Sequence, residues 1–398
     1  MKFNTYIGVL RKRTKFFGVV AAAMAFGLSL SACSSTNNST TTSQASSSQS
    51  GSSTTSRNVG SQLSSLEKPP SSTVALSETG STLLYPLFQL WAPDYNKAYS
   101  NISVTPAGTG SGTGIAQSAT NAVNIGASDA YLSSGQVSQY PGLLNIPLAI
   151  SAQVIEYNIP GFNGKLNLDG KVLSDIYQGK VTNWNSSEIA AINKGVTLPN
   201  LPIIPLHRSD GSGDTFIFTQ YLSDSDPNGW GQSISYGTSW TAPATSNALA
   251  ENGNGGMVTG CQATKGCIAY VGISFLDKAT SDGLGEAYLG NKAGTYLQPN
   301  AQNIQTEVNS FSGKTPASQA QSLVYGSASQ GYPIVNYEYA IVNSNQSSST
   351  TAQAIKAFLA WCMDPAHGNA SSYLNQVHFI PLPASSLSQS VAQLGKIS

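Results

Sequence analysis

Charge is scarce in this chain. Only 10% of its 398 residues are Asp, Glu, Lys or Arg, against roughly 25% in an average globular protein. Nineteen basic and nineteen acidic residues cancel, so nothing favours nucleic acid, whose binding calls for a basic patch. Histidine is scarcer still, with three in the whole chain. Among four cysteines there is no second pair at metal-ligand spacing. A metal centre is therefore not expected, nor is any cofactor. The surface must be built mostly of Ser, Thr, Asn, Gln and Tyr. Such a surface loses little when carboxylates protonate, and it suits an acidic exterior.

What is present begins with a targeting segment. Lys2, Arg11, Lys12, Arg13 and Lys15 form a positive region, and Phe16 to Leu30 is an apolar run too short for a comfortable transmembrane helix. The run ends in Leu30-Ser31-Ala32-Cys33, which resembles a bacterial lipobox. Residues 1–32 are then a lipoprotein signal peptide, Cys33 the lipidated residue, and membrane attachment comes from lipid chains. Residues 33–72 are dominated by Ser and Thr and read as a flexible tether. Cys261 and Cys267, flanked by Gly260 and Gly266, are expected to form a small disulfide loop outside the cytoplasm. Cys362, between Trp361 and Met363, reads as a buried free thiol.

From Val74 onward, strand and helix patterns alternate. Val74 to Leu84 reads as a strand and a turn. Leu83 to Trp91 starts a helix, with Pro86 tolerable in its first turn. Ile102-Ser103-Val104-Thr105 alternates like a strand and runs into the glycine-rich turn Gly108–Gly114, with a helix expected from Ile115. Ala122 to Asp129 is a third strand. Ile146–Ile150, Val154–Ile159, Cys267–Gly272 and Tyr332–Val342 read as further strands, and residues 279–330 as polar and irregular. The alternation argues for an α/β fold with a mostly parallel sheet. In such sheets ligands bind outside the carboxyl ends of the strands, so the polar turns should converge.

The most telling turn is His207-Arg208-Ser209-Asp210-Gly211-Ser212-Gly213-Asp214-Thr215. It follows the apolar run Leu201–Leu206 and precedes Phe216–Leu222, which can continue as a helix. Free N–H groups at a helix start, with the dipole positive there, favour an anion. Glycines allow close backbone approach, and Arg208 offers a planar fork suited to phosphate. A plain strand-to-helix loop with paired Arg and Asp would use the same residues. The glycine turn at 108–114 lacks the Lys and spacing of a P-loop, and on sequence alone could be a surface loop. Ser111 and Ser212 lack the nucleophile-elbow pattern, and nothing places His207 against either serine. Asp129 is the oddity. A carboxylate repels an anion unless the anion carries a proton, as phosphate does and sulfate does not; an unpaired buried acceptor can discriminate by orders of magnitude. A helix cap or an Arg partner would serve equally there.

Together, Gly80-Ser81-Thr82-Leu83, Gly110-Ser111-Gly112, Gly126-Ala127-Ser128-Asp129 and Arg208–Gly213 resemble the phosphate-binding proteins of high-affinity phosphate ABC transporters. The resemblance covers about residues 74–398. It implies a two-lobed periplasmic-binding-protein (Venus-flytrap) fold, with lobe 1 at 73–157 and 334–398 and lobe 2 at 158–333. The crossings would fall near Tyr157-Asn158 and Tyr332–Val335. It implies inorganic phosphate as ligand, an ABC permease in the cytoplasmic membrane as partner, a monomer, and no enzymatic step. By motif, Thr82 would bind through hydroxyl and backbone, Leu83 through its N–H, and Ser111 from the glycine turn. Asp129 would accept the phosphate proton. Arg208 would bind bidentately, oriented by Asp210, and Ser212 and Gly213 would donate at the helix start. Two departures stand out: Leu83 replaces a common aromatic residue, and Asp214 a common Thr. The latter resembles the lipoprotein branch of mycobacteria, as do Cys261 and Cys267. Asp214 could accept a second phosphate proton, or simply favour the helix dipole. An extracellular phosphatase, and a receptor for sulfate or molybdate, are the competing readings.

Overall fold

In a computed structural model of the chain, the described residues are 59–230, 237–242 and 245–398. Cys33, the leader and most of the expected tether lie outside them.

Five strands form the first lobe: β1 (Val74–Gly80), β2 (Ile102–Thr105), β3 (Ile125–Ser128), the first part of β4 (Leu143–Tyr157) and β12 (Val335–Asn343), in the order β2-β1-β3-β12-β4. Pairing of β1 with β2 and β3 is parallel, and β12 runs antiparallel to both its neighbours. The second lobe continues from the far part of β4 through β8 (Cys267–Gly272), β6 (Ile204–Arg208) and β7 (Leu249–Glu251), with β9 (Gly285–Glu286) also on β4. A small separate sheet joins β5 (Asn167–Leu168), β10 (Tyr288–Gly290) and β11 (Tyr296–Leu297).

Helices follow the strand ends. The helix Tyr85–Ala98 carries Pro86 in its first turn and buries Leu87, Phe88, Trp91 and Tyr95. The helix Ser111–Ala119 starts inside the glycine run, earlier than Ile115, because Gly110 adopts a φ of +94° that lets the chain turn directly into it. The helix Gly213–Ser225 is capped by Ser212, whose side chain accepts from the Thr215 N–H.

β4 departs most from expectation. It is one strand of 15 residues, not two. It pairs with β12 up to Ala152 and with β8 from Gln153, so the first crossing lies there and not at Tyr157-Asn158. Ser151 and Gln153 look like a polar break in the sequence, yet both are fully buried and hydrogen-bonded. The returning crossing lies alongside, since the Gln153 N–H donates to the Ile334 carbonyl at 3.1 Å.

Three boundaries shift as well. Residues 59–66 are helical, with Val59 and Leu63 buried in the core, and Asn101 Nδ2 donates to the carbonyls of Pro70 and Ser72. The tether therefore ends before residue 59, because two apolar residues one helical turn apart suffice to dock this stretch. Residues 279–330 are not irregular: they hold β9, β10, β11 and the helix Ala301–Ser310, elements too short or too polar to show periodicity. Residues 315–323, expected in lobe 2, bond to lobe 1 through Gln389 to Thr315, Asn145 to Ser318 and Tyr339 to Gln319. Cys261 and Cys267 are joined by a disulfide, and Cys362 is buried and free.

Candidate functional site

The carboxyl ends of β1, β3 and β6 meet at one place, together with the starts of the helices Ser111–Ala119 and Gly213–Ser225. The Gly112 N–H donates to the Gly211 carbonyl at 2.7 Å, so the two glycine turns touch across the lobes. A β-carbon on Gly213 would lie 2.5 Å from Asp129 Oδ2 and 2.7 Å from Ser111 Oγ. Only glycine fits between them.

Arg208 is 2% exposed. Its Nε donates to Asp210 Oδ1 at 2.7 Å, its Nη2 to Asp210 Oδ2 at 2.5 Å, and its Nη1 to Asp214 Oδ2 at 2.8 Å. Three of its five hydrogens are thus assigned, leaving one on each terminal nitrogen for a ligand. Burial opposes the ionisation of Asp210, but the hydrogen bonds and charge of Arg208 prevail and hold it below the usual carboxylate range. Asp214 is fully buried. Its Oδ2 also accepts from Asn254 Nδ2 at 2.7 Å, and its Oδ1 from Gln153 Nε2 at 3.2 Å. Burial raises its pKa, while Arg208, Asn254 and Gln153 pull it down.

Asp129 is 2% exposed. Ser81 Oγ donates to its Oδ1, and Ser111 Oγ to its Oδ2 at 3.3 Å. Its pKa is pushed up to about 7, first by burial and then by the charge of Asp214; Ser81, Glu338 and Arg208 act in the opposite sense. The carboxylate is therefore dry and poised to share a proton.

Thr82 faces the other lobe, where its Oγ1 accepts from the N–H and the Nδ2 of Asn254, at 3.1 and 3.0 Å. Leu83 points its N–H at Ser81 Oγ, at 3.1 Å, and its side chain packs against Gly272. Its carbonyl accepts from Ser274 Oγ at 2.7 Å, a further link between lobes. The Ser212 N–H donates to the Thr238 carbonyl at 2.8 Å. His207 stacks on Trp240 at 5.0 Å and contacts its own chain through Nδ1. Among the described residues, it meets neither Ser111 nor Ser212 in a hydrogen bond.

Four residues at the site were missed by sequence reasoning: Ser81, Gln153, Asn254 and Glu338. Ser81 lies inside the motif Gly80–Leu83, Gln153 in the apparent strand break, and Asn254 among the glycines 253, 255 and 256. Glu338 is a lone charge in an apolar strand, a signal that could have been read.

The two-lobed sheet, with oxyanion-binding chemistry at the strand ends between lobes, defines the periplasmic-binding-protein class, and residues 37–366 match the PBP superfamily domain. Phosphate-binding protein PstS of Xylella fastidiosa is 31% identical over 326 residues, covering 81% of this chain and 86% of that protein. Phosphate-binding protein PstS 3 of Mycobacterium leprae is 29% identical over 381 residues, covering 93% and 95%. The chain belongs to the PstS family of phosphate-binding proteins, which are substrate-binding transport proteins and not enzymes. In fold it is similar to the phosphate-binding protein of Stenotrophomonas maltophilia, with a TM-score of 0.64 at 20% identity over 80% of this chain and 93% of that one. Substrate-binding proteins of this class are extracytoplasmic, and among the described residues no helix is long and apolar enough to cross a membrane.

Proposed function

We propose that this chain captures inorganic phosphate between its lobes and hands it to the permease of an ABC importer. The observation that carries this reading is Asp129, a buried acceptor set beside Arg208 and the start of the helix Gly213–Ser225. Only an anion that still holds a proton can lie there without repulsion. Arg208 supplies two free hydrogens, Thr82 its hydroxyl hydrogen, and Leu83, Ser111, Ser212, Gly213 and Asp214 the turns around the anion. The Asp214 carboxylate keeps one acceptor position on Oδ1, enough for a second phosphate proton. Closure and opening turn on the paired crossings at Ala152-Gln153 and Ile334-Val335.

Titration calorimetry on the purified chain tests the site. Phosphate is expected to bind at least about a hundredfold more tightly than sulfate, and equal affinities would end the Asp129 argument. The chain acts as a monomer held to the outer face of the membrane by lipid on Cys33. Cys33→Ser should move it from the membrane fraction to the soluble fraction, and continued membrane retention would refute the anchor.

A further inference from the structure

Behind Asp129 lies a second acid that the phosphate reading does not use. Strands β3 and β12 run antiparallel, with Ser128 opposite Tyr339 and Ala127 opposite Ala340. The next position along sets Glu338 opposite Asp129. Glu338 is 0% exposed. Its Oε1 accepts from Ser151 Oγ at 2.5 Å and from Asn336 Nδ2 at 3.0 Å. Its Oε2 is buried and meets no N–H or O–H donor; the register sets it on the side of Asp129, whose carboxyl is the acidic group acting on it. Two carboxyl groups in contact out of water cannot both be ionised, and one proton between them satisfies both.

The surroundings decide which oxygen keeps that proton. Asp129 as an anion is served by Ser81, Ser111 and the charge of Arg208, against the single opposing charge of Asp214. Arg208 is in turn paired with Asp210. Among the described residues, the groups that act on the Glu338 carboxyl are Asp129, Ser151 and Asn336, with Tyr339 beside it, and none of these is a cation. The proton belongs on Glu338 Oε2, where it also removes the one unpartnered oxygen.

We propose that Glu338 is a specificity-determining positioning residue: as a neutral carboxylic acid it donates its hydrogen to Asp129 and thereby keeps Asp129 an acceptor. The inference rests on the phosphate reading of the site. Its consequence is directional. With the donor in place, Asp129 stays ionised down to about neutrality and there rejects oxyanions that have no proton to give. Without it, Asp129 takes up a proton already above neutrality, turns donor, opposes the proton of phosphate and welcomes sulfate.

Calorimetry with phosphate and with sulfate, from about pH 5.5 to about pH 8.5, on the full chain and two variants, tests this. Glu338→Gln can donate an amide hydrogen in the same place, and is expected to keep the parent's affinity within about threefold at every pH. Glu338→Leu is expected to lose about tenfold or more in phosphate affinity, relative to the parent, as pH falls from about 8.5 towards 7, and its phosphate-to-sulfate ratio should narrow by a similar factor. A Glu338→Leu profile parallel to the parent's would overturn the proposal, as would Glu338→Gln behaving like Glu338→Leu. Should Glu338→Leu not fold, infrared difference spectroscopy of the parent against Glu338→Gln at about pH 8 decides: a protonated carboxyl band present in the parent and lost in the variant supports the proposal, and its absence from the parent overturns it. A parent that binds no phosphate at any pH would instead refute the site itself.

Discussion

Two carboxyl pairs lie across adjacent strands of this molecule, and they differ in what surrounds them. Asp129 and Glu338 meet between β3 and β12, at the cleft. Glu156 and Glu286 are register partners between β4 and β9, inside the second lobe. Both pairs are dry. Burial pushes Glu286 up to about 7, and burial and then the charge of Glu286 push Glu156 well above the usual range. Both oxygens of Glu156 lack a donor, and the one donor to Glu286 is Gln298 Nε2 at 3.3 Å. The pair at the cleft has Ser81, Ser111, Ser151, Asn336 and Arg208. Desolvation makes an acid neutral in either place; only donors and a cation allow one member to remain an anion. The cleft pair can therefore take a ligand's proton, whereas the pair in the second lobe lies outside the ligand chemistry and holds its protons up to about pH 7.

Removing the cation is the severest way to erase that difference. Arg208→Ala leaves Asp210 and Asp214 buried without their partner. Phosphate affinity should fall by about a thousandfold or more, and stability by about 3–5 kcal/mol. Calorimetry and denaturant unfolding measure the two losses separately. Arg208→Lys should recover part of the stability but little of the affinity, since an ammonium cannot span two oxygens in a plane. Retained affinity in Arg208→Ala would place the site elsewhere.

The contrast also explains what could be read in the sequence. β2 and β8 fall where alternation and flanking glycines set them, at Ile102–Thr105 and Cys267–Gly272. The four glycine- and serine-bearing turns were legible because each carries its chemistry within a few residues, and they do converge. Illegible were the contacts made across the fold. Gln153 reaches Asp214 across 61 positions and Asn254 reaches Thr82 across 172. Glu338 meets Asp129 only because β12 returns from the second lobe to lie beside β3. The crossing inside β4 was hidden for the same reason: Ser151 and Gln153 are polar residues satisfied by partners remote in sequence, so a buried strand looked like two.

A smaller and opposite effect is expected from the pair in the second lobe. Glu286 has an ordinary value of 4.5 and a folded value of about 7. The native state thus holds a proton that the unfolded chain releases, and its stability is complete below about pH 4.5 and declines as pH rises through 7. Glu67, raised to about 8 by burial and by Asp364, and Glu307, raised to about 7 by burial, push the same way. Thermal unfolding should therefore show a protein more stable at about pH 5 than at about pH 8. Glu286→Gln should recover roughly 2 kcal/mol at the higher pH while leaving phosphate affinity unchanged. A change in affinity would mean the two pairs are coupled through β4, and a flat stability profile would mean these acids are ionised in the fold.

The smallest effect concerns Ser151, which donates to Glu338 Oε1 at 2.5 Å. A hydrogen bond to an anion contributes about 1.5–3 kcal/mol, and one between neutral groups about 1 kcal/mol. If Glu338 is the neutral member, Ser151→Ala removes a neutral bond while Asn336 Nδ2 still serves the same oxygen. Phosphate affinity at neutral pH should then change by no more than about threefold, with the pH profile unmoved. Were Glu338 the anion, the same change would destabilise it, move the shared proton off Asp129 and shift the profile. Calorimetry on Ser151→Ala at two pH values thus reports which carboxyl carries the charge: a shifted profile would assign the proton to Asp129 and reverse the roles of the pair.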